Sequence, residues 1–252
     1  MHSQRFHSFI DQLSIHSYLT EEERQVLLAL PAMRETIPSQ ATIVAPEEVV
    51  QSCYVVLNGL LARVSHTREG RRQILSFYVA GDMPDLQSLI RPRATFGLCA
   101  LCESEIVRIP HTALREVIRA YPGISDALSR EMVRESTIAA EWIVNLGGRT
   151  AIERIAHLFC EMAVKTGTAQ ERDTRFPFPI KQTMLADATG LSAVHVNRSL
   201  QALRKEKVLR FEQGYVEIPN WQVLVDVAGF DGSYLESERS LHFANSDWST
   251  KT

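Results

Sequence analysis

The stretch from Lys181 to Leu203 constrains the fold of this chain most, because its pattern is typical of two short helices joined by a tight turn. Gly190 can adopt the left-handed backbone conformation that such a turn requires. Ser192 follows as a good N-cap for the second helix. Ala186 is small where the two helices must cross closely, and Leu191 is placed to fill the core beneath the turn. This segment therefore predicts a helix-turn-helix.

The second helix of this unit has one apolar face, formed by Val196, Leu200 and Leu203 at helical spacing. The residues predicted to read base edges in the major groove are Ser192, Ala193, Val194, His195, Asn197, Arg198 and Gln201. Arginine can pair with guanine through two hydrogen bonds, asparagine or glutamine can pair with adenine, and a valine methyl can pack on a thymine methyl. The residues predicted to hold phosphates, which position a protein without specifying sequence, are Lys181, Thr183 and Lys205.

Positive charge is concentrated in this segment, although the whole chain has a net charge of -3. Between residues 176 and 211 there are six basic and two acidic residues, which gives a local charge of +4. The local field decides where a polyanion docks. Two short runs, 208–211 and 215–218, flank Gln213 and Gly214 and predict a β-hairpin wing. The alternatives are a solvated basic helix face or a helical hairpin used only for packing.

The first half of the chain has a different periodicity. Its first ~30 residues are predicted to be helical, with a capping box from Thr20 to Glu23. Short β-rich runs then occupy 42–44, 53–57, 60–65, 73–79, 95–101 and 105–109. Turn residues such as Asn58-Gly59 separate them, so closely spaced antiparallel strands in a small sandwich or roll are expected.

A short helix is predicted from His111 to Tyr121, and a long one from about Ile124 to Leu146. Residues of the long helix that repeat in steps of four and three are Leu128, Met132, Glu135, Ala139, Trp142 and Leu146. At 1.5 Å per residue this helix would span about 35 Å, more than one small domain needs. We therefore predict that these six residues form a homodimer interface. An ordinary amphipathic core helix is the alternative.

The remaining segments complete an α+β organisation. Another amphipathic helix is predicted from Arg149 to Lys165, and a polar loop from Thr166 to Pro179. The predicted units are 1–122, an N-terminal helix and β-roll sensor domain; 123–148, the dimerisation helix; 149–228, a winged helix-turn-helix; and 229–252, a mobile tail.

With these elements in order, the chain resembles the Crp/Fnr family of bacterial regulators over about residues 25–222. The motifs that carry the resemblance are Val56-Leu57-Asn58-Gly59, the run from Glu69 to Leu75, Gly81-Asp82, Leu191-Ser192 and the run from Val196 to Leu200. The resemblance implies a cyclic-nucleotide-binding-like β-roll, a long dimerisation helix and a C-terminal winged helix-turn-helix. It also implies control of transcription, with double-stranded DNA and RNA polymerase as partners.

The same resemblance places Arg198 at the family's guanine-reading arginine. Ala193 and Val194 stand where the best-known members have Arg and Glu. Because the Glu that would accept a hydrogen bond from cytosine is missing, a different half-site is expected, with a thymine opposite Val194.

The sensor site departs further from the family's pattern. The resemblance assigns an effector pocket to Gly81, Asp85, Leu86, Arg93 and Thr95. Pro84 replaces a glycine of the cyclic-nucleotide-binding members, and Ala94 stands where their phosphate-pairing arginine lies. The pocket is therefore predicted to be degenerate, with Arg91 and Arg93 as the candidate substitutes for that arginine. The effector stays unknown.

No catalytic residue, metal site or cofactor is expected. The sequence shows no Ser/His/Asp, phosphate-loop or metal-hydrolase pattern. If residues 95–101 form a strand that reaches Cys102, then Cys99 and Cys102 point to opposite faces, so buried, unligated cysteines are expected rather than a redox or metal centre.

No apolar run approaches the ~20 residues that span a bilayer, so a cytoplasmic protein without membrane contact is expected. The competing hypothesis is a small-molecule, redox or metal sensor that acts through protein partners, with weak or no specific DNA binding.

Overall fold

The computed structural model describes residues 7–235 and begins with two helices, α1 (His7–His16) and α2 (Glu21–Leu28). The predicted capping box is confirmed. The Glu23 carboxylate accepts a hydrogen bond from the Thr20 backbone N–H at 2.9 Å, and the Glu23 N–H donates to Thr20 Oγ1 at 3.2 Å. Helix α1 buries Phe9, Ile10 and Leu13 in a core shared with the β-roll. Residues 1–6 of the predicted N-terminal helix lie outside the described part.

Seven antiparallel strands form the N-terminal β-roll. They are β1 (Met33–Ile37), β2 (Thr42–Val44), β3 (Ser52–Asn58), β4 (Leu61–His66), β5 (Arg72–Tyr78), β6 (Gly97–Ala100) and β7 (Ser104–Pro110). The strand orders β1-β7-β3 and β2-β6-β4-β5 give two sheets that share a core, to which Val56, Leu61 and Ile106 contribute. Six strands match the predicted runs. Strand β1 was not predicted. None of its residues is buried, so its sequence lacks a clear strand pattern, and its pairing with β7 identifies it as a strand.

Helix α3 (His111–Ala120) leads into the long helix α4 (Pro122–Gly148), as predicted. The predicted dimer interface is wrong for Leu128 and Trp142, which lie buried in the protomer's own cores. Glu135 is half-buried, and its carboxylate accepts a hydrogen bond from Tyr78 of the same protomer's β5. The other three predicted residues are not buried: Met132 and Leu146 are half-buried and Ala139 is exposed, so the row that the heptad selected faces inward only in part. A parallel row is exposed instead, formed by Val133, Ser136, Ala140 and Ile143.

The C-terminal domain combines helices and a three-stranded sheet. Its elements are α5 (Ala151–Lys165), β8 (Arg172–Pro177), α6 (Gln182–Thr189), α7 (Ala193–Lys205), β9 (Arg210–Glu212), β10 (Tyr215–Asn220) and α8 (Trp221–Ala228). The hairpin β9–β10 confirms the predicted wing. The predicted polar loop from Thr166 to Pro179 is partly wrong, because β8 pairs with β10. Alternation of buried Thr174 and Phe176 with exposed neighbours is the strand signal there.

The first seven residues of the predicted mobile tail are packed against the C-terminal domain. Phe230 contacts the Trp221 ring edge-on, and Leu235 is buried. The Tyr234 hydroxyl donates a hydrogen bond to the buried Glu161 carboxylate at 2.9 Å. The domain therefore extends at least to Leu235, and the rest of the predicted tail, 236–252, lies outside the described residues.

Candidate DNA-binding surface and sensor cavity

The turn between α6 and α7 has the geometry that the sequence predicted. Gly190 has a φ of 64°, in the left-handed region, and its N–H donates to the Ala186 carbonyl. Ser192 caps α7, since its hydroxyl accepts a hydrogen bond from the His195 N–H at 3.3 Å. The two short helices are thereby held at a fixed angle.

Helix α7 is divided into a buried and an exposed face. Val196, Leu200 and Leu203 are buried in the domain core, as predicted. All residues predicted to read bases are exposed: Ser192, Ala193, Val194, His195, Asn197, Arg198 and Gln201. They occupy the N-cap and the first turns of α7.

Two of these side chains are oriented by polar neighbours. His195 Nδ1 lies 3.2 Å from Ser192 Oγ. The Asn197 amide donates to Gln182 Oε1 at 3.4 Å, so Gln182, which the sequence analysis did not single out, joins α6 to the reading face of α7.

The residues predicted to hold phosphates are also exposed. Lys181 is the N-cap residue of α6, and Thr183 lies in the first turn of that helix. A helix N-terminus attracts anions because its first N–H groups lack helical partners. Lys205 lies at the other end of the surface, in the last turn of α7.

Ion pairs neutralise several of the charges on this surface. Glu212 in the wing pairs with Arg204 of α7 and, at 3.0 Å, with Arg210. Asp187 of α6 is neutralised by Arg72 of the β-roll at 2.7 Å. The Arg72–Asp187 pair joins residues far apart in sequence, so a count of charges along a window could not reveal it. The Arg204–Glu212 pair ties the wing to the recognition helix.

A cavity of 430 Å³ lies between the β-roll and α4. Of the predicted pocket residues it is lined by Asp85, Leu86, Arg93 and Thr95. The prediction is wrong for Gly81, which lies in the turn after β5 with a φ of 96°. A side chain there would meet α1, at 3.2 Å from the Ser8 carbonyl oxygen.

Two charged residues that the sequence analysis did not assign to the pocket line the cavity wall. The Arg63 guanidinium lies 3.3 Å from the Glu135 carboxylate and also donates to the Pro84 carbonyl. Burial raises the pKa of Glu135, against the opposing effect of Arg63. Two features of the sequence could have identified these residues: Arg63 is a lone arginine in the largely apolar β4, and Glu135 is a lone carboxylate in an otherwise apolar helical row.

Asp85 forms the polar floor of the cavity. Its carboxylate accepts a hydrogen bond from the Tyr54 N–H at 3.0 Å and lies 3.3 Å from Ser88 Oγ. Ser88 Oγ is in turn 2.9 Å from His111 Nε2. Burial raises the pKa of Asp85 to about 7, against the hydrogen bonds that favour its charged form. The floor therefore changes charge near neutral pH.

Two family models match the chain. A cyclic nucleotide-binding domain covers residues 34–121, and a Crp-like helix-turn-helix domain covers residues 153–227. The chain belongs to the Crp/Fnr family. It is accordingly a transcription regulator with a helix-turn-helix DNA-binding domain.

Named relatives agree with this membership. This Crp/Fnr protein is 28% identical over 181 residues to a probable transcriptional activator of Rhizobium leguminosarum bv. viciae, a match that covers 72% of the chain and 75% of the relative. It is 23% identical over 220 residues to the fumarate and nitrate reduction regulatory protein of Escherichia coli, covering 87% and 88%. FixK2 from Bradyrhizobium japonicum has the same fold, with a TM-score of 0.73 and 23% identity over 80% of this chain and all of that one.

Both residues predicted to depart from the cyclic-nucleotide-binding pattern, Pro84 and Ala94, lie in the cavity wall. Ala94 lines the cavity where the family's phosphate-pairing arginine is expected, and Arg91 and Arg93 lie on the same wall. Pro84 offers only its carbonyl, which Arg63 occupies. Cys99 and Cys102 are free and half-buried. Among residues 7–235, no group of three metal-ligating side chains lies close together, and no helix there is long and apolar enough to cross a membrane.

Proposed function

We propose that this Crp/Fnr regulator binds a specific operator as a homodimer, with α7 of each protomer in the major groove. The observation that carries the proposal is the exposed, polar and basic N-terminal face of α7, held by the Gly190 turn and the Ser192 cap. Because DNA would be its partner, we infer that the protein acts in the bacterial cytoplasm.

Arg198 is proposed to pair with a guanine through two hydrogen bonds, and Asn197 and Gln201 to contact neighbouring bases. Val194 leaves 68% of its surface in solvent. Burying that apolar surface against a thymine methyl would be favourable. Lys181, Thr183 and Lys205 are proposed to hold phosphates on either side of these contacts.

The exposed row of α4 supports dimerisation. Val133 and Ile143 are 66% and 72% exposed on one helix face, where a second copy of α4 could bury them. Small residues, Ser136 and Ala140, lie between them and would allow close approach. Met132, Ala139 and Leu146, from the predicted interface, flank this row and are proposed to pack at its edge.

Two partners are proposed beyond DNA. A small molecule in the 430 Å³ cavity would reach both the β-roll and α4, which is the position from which it could alter the dimer. Contact with RNA polymerase is proposed because one named relative is a probable transcriptional activator. In vitro transcription from the selected operator tests this second partner.

Selection from a pool of random DNA duplexes tests the DNA-binding proposal directly. We expect enrichment of an inverted repeat whose half-sites lie about 10 base pairs apart, one helical turn, because the two recognition helices enter successive grooves on one side of the duplex. Fluorescence anisotropy then compares the selected operator with a scrambled duplex over a range of salt concentrations. Failure to enrich any sequence, or equal affinity for the enriched and the scrambled duplex, would contradict the proposal and favour a sensor that acts through protein partners.

A further inference from the structure

Strand β5 of the sensor domain contacts the DNA-binding domain at both of its ends. At its C-terminal end, Lys165 of α5 donates to the Phe77 carbonyl at 2.6 Å and pairs with the Asp82 carboxylate at 3.0 Å. The Lys165 and Asp82 side chains are only 2% and 1% exposed. A buried charge pair between two domains is costly to separate, because each charge would lose its partner in a low-dielectric site.

The charges at this point are balanced within the protein. Burial alone would raise the pKa of Asp82, but Lys165 and Arg134 outweigh it and hold the pKa below its usual value. Arg134 of α4 lies 3.2 Å from Asp82 and 2.7 Å from Glu131. Asp82 is therefore ionised and holds one cation from α4 and one from the DNA-binding domain.

At the N-terminal end of β5 the contact is of another kind. Arg72 pairs with Asp187 of α6, and the Gln73 amide donates to the Ala188 carbonyl at 3.3 Å. The Arg72 and Asp187 side chains are 28% and 27% exposed. A pair that water reaches contributes little to stability. The same two domains are thus joined by a buried ion pair at one end of β5 and by a hydrated ion pair at the other, so the effects of the two pairs can be compared.

The buried Lys165–Asp82 pair is also connected to the cavity, through Tyr78 and Glu135. Lys165 Nζ lies 5.4 Å from the centre of the Tyr78 ring, and the Tyr78 hydroxyl donates to Glu135 at 2.9 Å. Glu135 lines the cavity and pairs with Arg63. A continuous set of polar contacts therefore connects the cavity wall to the first helix of the DNA-binding domain.

We propose that Lys165 and Asp82 are positioning residues that set the orientation of the DNA-binding domain, and that Tyr78 and Glu135 make this orientation sensitive to what occupies the cavity. The inference rests on the proposed function, since it explains how the two recognition helices are held at the spacing that an operator requires. Specific binding needs both helices in register with two half-sites, whereas non-specific binding depends on charge and tolerates a range of orientations. Loosening the pair must therefore reduce operator binding more than random-DNA binding.

The experiment compares Lys165→Met, and the double variant Asp82→Asn/Lys165→Met, with the wild type. The double variant removes both charges, so it keeps the test valid if the single variant leaves Asp82 too poorly compensated to fold. The probes are the operator selected with wild-type protein and a scrambled duplex. We expect the ratio of operator to scrambled affinity to fall about tenfold in both variants, with scrambled-DNA affinity and dimer mass unchanged.

The matched control is Arg72→Gln, which breaks the hydrated contact of the same interface and should change the ratio by less than about twofold. A variant that merely loses folded protein would lower both affinities equally and leave the ratio intact. An unchanged ratio in the double variant would overturn the proposal. If no operator can be selected with wild-type protein, the proposed function fails instead, so the two failures are distinguishable.

The connection to the cavity is tested by Glu135→Gln in two backgrounds. In the wild type it should lower the operator-to-scrambled ratio about fivefold, because Arg63 and Tyr78 lose a charged partner. In the Asp82→Asn/Lys165→Met background it should have less than about a twofold effect, since the contact through which it acts is gone. Equal effects in the two backgrounds would overturn the role assigned to Tyr78 and Glu135.

Discussion

Arg198 is exposed in the second turn of α7, on the face that starts at the Ser192 cap. Its guanidinium can present two donors to the O6 and N7 acceptors of a guanine, a pattern that no other base pair offers in the major groove. If Arg198 reads a base, its removal should weaken binding mainly to duplexes that carry that base. If it only holds a phosphate, its removal should weaken binding to all duplexes by a similar factor.

Replacement of Arg198 with Ala is expected to reduce discrimination at one base pair of each half-site by about 1–3 kcal/mol. Anisotropy titrations against operators with each base pair substituted in turn measure this. Lys205→Ala is the control, and it should weaken all these duplexes by a similar factor. If Arg198→Ala behaves as Lys205→Ala does, Arg198 is a phosphate contact.

Asp85 gives a pH dependence whose sign follows from its burial. The folded-state pKa of about 7 lies above the ordinary value for an aspartate, so the folded protein holds a proton that the unfolded chain has released. The protonated Asp85 therefore contributes to the free energy of unfolding at acid pH. This contribution falls by at most about 4 kcal/mol as the pH rises from about 4 to about 7.

We therefore expect Asp85→Asn to flatten the dependence of unfolding free energy on pH across that window. Denaturant unfolding at pH 5 and pH 8 gives the slope for each variant. Asp126→Asn, at an exposed position of α4, is the control and should keep the wild-type slope. Parallel profiles for Asp85→Asn and the wild type would show that Asp85 titrates normally.

Residues that act through their neighbours in sequence could be predicted, and residues that act through distant partners could not. Gly190 and Ser192 were predictable because a turn and a cap are local features. Arg63 and Glu135 were not, because their pairing depends on how α4 lies across the β-roll. The Arg72–Asp187 pair is still further removed, since it joins two domains.

At the scale of elements, α4 shows what a heptad can and cannot indicate. The spacing predicted a long amphipathic helix and gave its length to within a few residues. A long helix between two domains has an inward row and an outward row, and both repeat in steps of three and four. Trp142 belongs to the inward row because its indole N–H finds the buried Glu161 carboxylate at 3.0 Å. No property of the repeat alone identifies that partner.

The outward row is tested by Val133→Asp, which places a charge on the exposed face of α4. We expect the dimer to weaken by about 2 kcal/mol or more, because the carboxylate would be desolvated at the interface. Sedimentation velocity over a range of concentrations measures the dissociation constant. Val223→Asp, a like change at an exposed valine of α8, should leave the dimer unaffected. Equal dimer stability in both variants would move the interface elsewhere.

The short segment after α8 is predicted to stabilise the C-terminal domain. Tyr234→Phe removes a hydrogen bond to the Glu161 carboxylate and keeps the ring that stacks on His157. The expected loss is about 1–2 kcal/mol of unfolding free energy, since a buried acceptor is left with one fewer donor. Tyr18→Phe, at an exposed tyrosine, is the control for removing a hydroxyl. Equal unfolding free energies for the two variants would show that this contact does not hold the segment.

At the scale of the whole molecule, the order of the domains followed from the sequence, but their mutual contacts did not. Switches in periodicity marked the β-roll, the long helix and the helix-turn-helix. The contacts of β5 with Lys165 and Asp187 depend on three-dimensional placement that no periodicity encodes. These contacts leave the reading face of α7 uncovered, so the described conformation is one in which DNA could be reached.

The net charge of -3 makes the salt dependence of binding an informative property of the whole protein. DNA affinity should fall steeply with salt despite that charge, because the number of counterions released depends on the phosphates that the protein contacts and not on charge elsewhere on its surface. Lys205→Ala removes one proposed phosphate contact per protomer, so the slope of log affinity against log salt should decrease by about 1.8 for the dimer. Arg119→Ala, which removes an exposed charge from α3 in the sensor domain, changes the net charge equally and should keep the slope. If both variants shift the slope alike, binding responds to overall charge and the surface assigned to α6 and α7 is not the one that meets DNA.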